Sequence, residues 1–145
     1  MRALAALVAT TSLAAPASAA VTTVCSGVAG CKVVASGDVD GDGRSDQVGV
    51  VARGLSSAKG GSITVRVRTA TGTMLQTTGR DVRWYGKPFL GVASIDGVRG
   101  KEVVVGDLMG AHFTQWRVVT YRKGKLVTLK PPSAAGVTRA SRWGT

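Results

Sequence analysis

Acidic residues, aromatic residues, cysteine and histidine are all scarce in this 145-residue chain. It has eight Asp and Glu against 19 Lys and Arg, two Phe, two Tyr, three Trp, two Cys and one His. Two thiols without a nearby His or further Cys fall short of a structural zinc set. No run of five or more basic residues occurs, which argues against a concentrated cationic arm. The sequence contains no recognisable nucleic-acid-binding motif, so specific nucleic-acid binding is not expected either.

Catalytic motifs are lacking as well. No Gly-x-Ser-x-Gly elbow is present, and the single histidine, His112, has only Asp107 as a nearby carboxylate that could orient it. A loop or strand-end histidine is the ordinary alternative to a general base. We therefore expect a non-catalytic protein, and a secreted hydrolase or protein inhibitor with an unrecognised site stays open as the alternative.

Long apolar runs are confined to the N-terminus. Arg2 is followed by an Ala- and Leu-rich stretch over residues 3–13 and then by small residues, the three-part order of a secretory signal peptide. Cleavage after Ala19 or after Ala20 fits an A-x-A site. Polar residues and Pro16 interrupt the stretch, which disfavours a membrane anchor. Residues 1–20 are predicted to be a signal peptide, and the protein to be secreted, extracellular or at the cell envelope, with no transmembrane segment.

The two cysteines are close in sequence. Cys25 and Cys31 enclose five small or apolar residues, and in an oxidising compartment such a pair is expected to form a disulfide. So short a loop stabilises only modestly. The bridge is therefore expected to hold the mature N-terminus in place.

Alternating β-branched segments dominate the remainder, so an all-β fold is predicted. Ile63, Val65 and Val67 alternate with polar or cationic residues, as in a strand buried on one face. Gly and polar residues separate the predicted strands. These strands cover residues 32–35, 47–52, 63–68, 74–78, 89–95, 102–105, 113–122 and 126–129.

The strands fall into two similar halves, about 31–78 and 89–129, within a β domain over residues 21–130. Aligning Asp46 with Glu102 also aligns Asp40 with Asp96. Each half predicts a blade-like antiparallel unit of four strands. Two such units form a partial propeller or a compact sandwich or barrel, and association with other chains is an open option. The tail over residues 131–145 is expected to be flexible.

One motif carries chemistry: Asp38-Val-Asp40-Gly-Asp42-Gly-Arg44-Ser-Asp46. Carboxylates at alternate positions of a tight loop can converge on a hard cation, which takes six to eight oxygen ligands. Four carboxylates and the carbonyl of Arg44 are the predicted Ca²⁺ ligands. A solvated acidic turn is the alternative. An EF-hand is disfavoured because its twelfth loop position, normally Glu, is Gly49.

This Asp-x-Asp-Gly-Asp-Gly-x-x-Asp segment, with the Val-rich strand after it, resembles the FG-GAP or VCBS-type repeat of integrin-α-like β-propellers. The resemblance implies a loop that binds calcium between two strands through Asp38, Asp40, Asp42, the carbonyl of Arg44, and Asp46. The second copy departs from it, with Ser94 and Val98 at the first and third Asp positions. We expect that copy to keep the turn and lose the ion.

The positive charge suggests partners. The net charge is +11 and becomes +10 once the signal, with Arg2, is removed. A surface this basic attracts anionic polymers or glycans of the cell envelope, and the predicted anion-binding residues are Arg66, Arg68, Arg83 and Arg117. Charge that serves only solubility is the alternative. The sequence thus predicts a calcium-binding module that is structural or that binds such polymers.

Overall fold

The chain folds into strands and turns throughout the part described by its computed structural model, residues 22–132 and 143–144. The predicted signal peptide lies outside these residues, as do residues 133–142 of the tail. No helix long and apolar enough to cross a bilayer is found in the described part. In chain order the strands are β1 (Cys31–Gly37), β2 (Asp46–Arg53), β3 (Gly61–Arg68), β4 (Met74–Val82), β5 (Phe89–Ala93), β6 (Glu102–Met109), β7 (Thr114–Arg122), β8 (Lys125–Leu129) and β9 (Trp143–Gly144).

The strands form two antiparallel sheets, which confirms the all-β prediction and its two units. The first sheet has the order β1-β2-β3-β4 and the second the order β5-β6-β7-β8, so each is a simple meander. The sheets do not close into a barrel. Strand β9 was not anticipated: Trp143 and Gly144 of the expected tail pair with Trp116 and Gln115 of β7.

The two sheets repeat each other in detail. Asp46 opens β2 opposite Gly37, and Glu102 opens β6 opposite Ala93. In each sheet the first strand carries a register shift, at Val34 in β1 and at Leu90 in β5. The same number of residues separates Val34 from Leu90 as Asp46 from Glu102. The alignment of the two halves is therefore also a structural alignment.

A single hydrophobic core joins the sheets. Its buried members from the first sheet include Val48, Val50 and Val65, and those from the second include Val103 and Val105. Burying each such valine contributes about 1.5–3 kcal/mol relative to leaving it in water. Trp84, in the connection between the sheets, is 5% exposed and belongs to the same cluster.

The sheets stack in the same sense. Side chains alternate between the faces of a strand, so Asp46 points to the same face as Val48 and Val50, towards the shared core. In β6 the core side chains are Val103 and Val105, and Glu102 therefore points to the opposite face. The face of the first sheet that carries Asp46 therefore packs against the face of the second sheet that lies opposite Glu102.

The predicted disulfide is present between Cys25 and Cys31, with Cα atoms 5.3 Å apart. The turn that it closes lies on the outer face of the first sheet, over Gly49. A Cβ at Gly49 would lie 2.9 Å from Cγ1 of Val24 and 3.1 Å from Sγ of Cys25, so only glycine leaves room for this turn. Val24 is fully buried there, and the bridge does hold the N-terminal segment against the sheet.

Candidate metal centre

The loop between β1 and β2 bends around the carboxylate of Asp38. Its Oδ1 accepts the backbone N–H of Gly41 at 2.7 Å, and its Oδ2 accepts that of Gly43 at 2.9 Å. Both glycines have positive φ, +81° and +87°, a region that side-chain-bearing residues rarely adopt. The alternation of Asp and Gly therefore produces a tight turn with backbone N–H groups directed at the first carboxylate.

The next two acidic residues close smaller turns. Oδ1 of Asp40 accepts the N–H of Asp42 at 3.1 Å, and Oδ1 of Asp42 accepts the N–H of Arg44 at 2.7 Å. Such Asx turns are a common way for Asp to bend a chain locally. They direct successive carboxylates to one side of the loop.

Three carboxylates converge as a result. One oxygen each from Asp38, Asp40 and Asp42 lie within 4.8 Å of one another. Calcium binds oxygens at 2.3–2.6 Å, so two ligands on opposite sides of one ion are about 5 Å apart. The spacing fits ligation of one hard cation. No Lys or Arg of residues 22–132 and 143–144 forms an ion pair with these three groups.

Asp46 has a different environment from the other three. Its side chain is 1% exposed; Oδ2 accepts the N–H groups of Val39 at 2.8 Å and Asp40 at 3.2 Å, and Oδ1 accepts that of Ala70 at 2.9 Å. It lies outside the cluster of three and ties the acidic loop to the turn after β3. Arg44, whose backbone carbonyl is the other predicted ligand, has an exposed side chain, and its guanidinium donates to the carbonyl of Ala70 at 3.4 Å.

Electrostatics at the loop favour a cation. The pKa of Asp40 is raised above the usual Asp value, first by burial and then by the charges of Asp46, Asp42 and Asp38. The hydrogen bond from the Asp42 N–H acts in the opposite direction. Loss of the proton from Asp40 therefore costs more here than in water, and a bound cation would offset that cost.

The second loop neutralises its charge with a side chain. Asp96, the counterpart of Asp40, accepts the N–H of Val98 at 2.9 Å and forms an ion pair with Arg122 at the end of β7. The Arg122 guanidinium also donates to the Thr120 hydroxyl at 2.7 Å and the Tyr121 carbonyl at 2.6 Å. This arginine was missed by sequence reasoning. Only the β6–β7 pairing brings it to Asp96.

Glu102 anchors the second loop as Asp46 anchors the first. It is 1% exposed and accepts the N–H of Ile95 at 2.7 Å and the hydroxyl of Thr120 at 3.0 Å. Next to it in sequence, the Lys101 backbone N–H donates to the carbonyl of Asp38 at 2.8 Å.

The two loops pack against each other. A Cβ on Gly41 would lie 2.9 Å from the carbonyl oxygen of Arg99, and one on Gly100 would lie 2.6 Å from that of Val39. The backbones therefore approach as closely as glycine permits. The second loop supports the acidic loop, so the two repeats together position the three carboxylates.

The four predicted anion-binding arginines do not form one patch. Arg66 and Arg68 lie on the outer face of the first sheet, where Arg66 donates to the Val24 carbonyl at 3.0 Å and to Gln76 at 2.6 Å. Arg117 forms an ion pair with the buried carboxylate of Asp107 at 2.7 Å. Arg83 is exposed in the connection between the sheets.

In comparisons with known proteins, no protein-family model, no curated protein and no solved structure matches the chain.

Proposed function

We propose that the protein is a secreted, non-catalytic module of FG-GAP or VCBS type that one calcium ion stabilises. The observation that carries the proposal is the convergence of the Asp38, Asp40 and Asp42 oxygens within 4.8 Å. The second repeat adds support, because its loop retains Asp96 and balances it with Arg122. In the second loop the positive charge comes from an arginine side chain. We expect the first loop, which is more acidic, to take its positive charge from an ion in solution.

Calcium is the favoured ion because the donors are oxygens on a solvent-accessible loop. Extracellular calcium modules have dissociation constants of about 10⁻⁴ to 10⁻³ M. Millimolar calcium would then add about 0.4–1.4 kcal/mol to the free energy of unfolding. The ion's role is to order the β1–β2 loop, and the valine core supplies most of the stability.

Thermal unfolding of the protein lacking residues 1–20 tests the proposal. We expect millimolar calcium to raise the midpoint by a few degrees over excess chelator, and Asp42→Asn to abolish that rise. The matched control is Asp81→Asn, at an exposed Asp of positive φ in β4, which should respond to calcium as the natural chain does. Equal midpoints with calcium and with chelator would reduce the loop to an ordinary acidic turn.

Envelope polyanions are the proposed partners, on account of the net charge of +10 that remains once residues 1–20 are removed. Retention on a sulfated polysaccharide matrix should fall steeply as salt increases, since screening shortens the range of surface charges. Arg68→Gln with Arg83→Gln should elute earlier than the natural chain. Elution that does not depend on salt would contradict the proposed binding of polyanions, and the positive charge would then serve solubility only.

A further inference from the structure

A cleft between the two sheets has the shape and chemistry of a small-molecule site. It opens beside the N-terminal half of β1, at the opposite end of that strand from the acidic loop, and has a volume of about 440 Å³. Small-molecule sites commonly enclose about 300–1,000 Å³. The apolar part of the lining comes from both sheets and from the connection between them, through Val34, Val50, Ala52, Pro88 and Phe89.

The wall formed by residues 87 and 88 is held in place before any ligand arrives. The carbonyl of Lys87 accepts the indole N–H of Trp84 at 3.1 Å, and the carbonyl of Pro88 accepts the N–H of Gly106 at 2.7 Å. Trp84 is itself buried against Gly106. Because these bonds attach the wall to β6, the cleft is preformed, and binding need not bear the cost of ordering it.

Two lysines give the cleft its charge. Lys32 pairs with Val50 in the β1–β2 ladder and so shares the face of the sheet that looks towards the cleft. Lys87 lines the cleft from the connection between the sheets. No acidic side chain contributes to the lining, and within the described part of the chain neither ammonium group has an ion-pair partner.

We propose that this cleft binds an amphipathic carboxylate with a single short hydrocarbon body. The hydrocarbon lies against Val34, Val50 and Phe89, and the carboxylate meets the ammonium groups of Lys32 and Lys87. Apolar walls alone would accept any small hydrophobic molecule, whereas the two ammonium groups select an anion. The cleft accommodates one chain of modest length, so this activity is separate from retention of envelope polymers.

The test is a titration of the whole mature protein with octanoate, octan-1-ol and acetate, followed by tryptophan fluorescence, since Trp84 adjoins the cleft wall. We expect saturable octanoate binding that is about tenfold tighter than that of octan-1-ol, the contribution of a charge-assisted hydrogen bond. Acetate, which has the charge and almost no apolar body, should bind most weakly. Equal binding of octanoate and octan-1-ol would overturn the proposal.

Variants separate this site from general surface charge. Lys32→Met with Lys87→Met keeps the apolar stems and should reduce octanoate binding to the level of octan-1-ol. The matched control, Lys59→Met with Lys125→Met, removes two exposed lysines elsewhere and should leave binding unchanged.

Ala52→Phe, at an exposed position on the rim of the cleft, should block binding of both octanoate and octan-1-ol. If octanoate binds equally to all of these variants, the site lies elsewhere. Octanoate binding that persists in Asp42→Asn would show that the cleft works without the calcium loop.

Discussion

At the scale of single residues, the buried carboxylates of Asp46 and Glu102 hold the two loops through hydrogen bonds. Asp46 accepts three backbone N–H groups from two separate turns, and Glu102 accepts one N–H and one hydroxyl. Each carboxylate accepts hydrogen bonds from donors that would otherwise be buried without a partner. Leaving one such donor unsatisfied costs about 1–3 kcal/mol. The acid at the start of β2 and of β6 is therefore a structural requirement of the repeat.

Asp46→Asn should lower the free energy of unfolding by about 2–4 kcal/mol, because the amide nitrogen would face an N–H group that now donates to an oxygen. Urea unfolding in chelator measures the effect without any contribution from bound metal. Asp81→Asn serves as the exposed control and should change stability little. An Asp46→Asn protein as stable as the natural chain would show that these backbone groups find other partners.

Asp40 predicts a pH dependence of the metal-free protein. Its folded-state pKa is raised above the ordinary value of an Asp side chain, chiefly by burial and then by neighbouring carboxylates. Between the ordinary and the raised pKa the folded state binds more protons than the unfolded state, so this group's contribution to stability falls as pH rises through that interval. Asp40→Asn should remove this contribution to the pH dependence of stability.

Unfolding of both proteins in chelator, from acid to neutral pH, provides the comparison. The stability of the natural chain relative to Asp40→Asn should decrease with rising pH and then level off above the raised pKa. A constant difference across the range would mean that the loop relieves its repulsion by moving. Calcium should diminish the decrease, because the ion stabilises the ionised loop.

At the scale of elements, the two β-hairpin loops solve one electrostatic problem in two ways. The first gathers three carboxylates, and the second retains one of them and places the Arg122 guanidinium beside it. Both loops are bent by Asp side chains that accept backbone N–H groups, and both are anchored by a buried acid. The difference between them lies in the source of positive charge.

Arg122→Met should destabilise the protein by about 0.5–1 kcal/mol, since the pair with Asp96 is partly exposed and solvent screens it. In an Asp96→Asn background the same substitution should cost less, and a double-mutant cycle from urea unfolding gives the coupling energy. Lys123→Met, next in sequence and exposed, is the control. Additive effects would show that Arg122 acts through its bonds to Thr120 and Tyr121 alone.

At the scale of the whole molecule, we expect the two sheets to unfold as one cooperative unit, because their side chains share one core. Val48, Val50 and Val65 of the first sheet contact the same cluster as Val103 and Val105 of the second. The loops and the cleft also depend on this arrangement, since the two loops contact each other and residues of both sheets line the cleft. Neither repeat alone retains the complete set of contacts.

Val50→Ala and Val105→Ala, one in each sheet, should therefore each lower the free energy of unfolding by about 2 kcal/mol. Each should shift a single transition seen alike by far-ultraviolet dichroism and tryptophan fluorescence. Val33→Ala, at an exposed position of β1, should have little effect. Two separate transitions, each sensitive to one substitution only, would show that the sheets unfold independently.

Much of this architecture could be predicted from local sequence. Strict alternation in Ile63, Val65 and Val67 specifies a strand with one buried face, and the predicted strands correspond to β1–β8 with boundaries shifted by a few residues. The spacing of Cys25 and Cys31 indicated the disulfide, and the alternating Asp residues indicated the loop. Trp143 of β9 had no such signal, because its pairing depends on where β8 leaves the edge of β7.

Period-two patterns, turn residues and the aligned acids are local, so the amino-acid sequence by itself determined the strands, the two meanders and the tight acidic turn. Which face of each sheet became the core, which basic residue reached Asp96, and where the cleft opened were decided only by tertiary structure. Those features depend on register and on contacts between residues far apart in the chain. A two-residue period marks one face as apolar, but it does not say which sheet that face will meet.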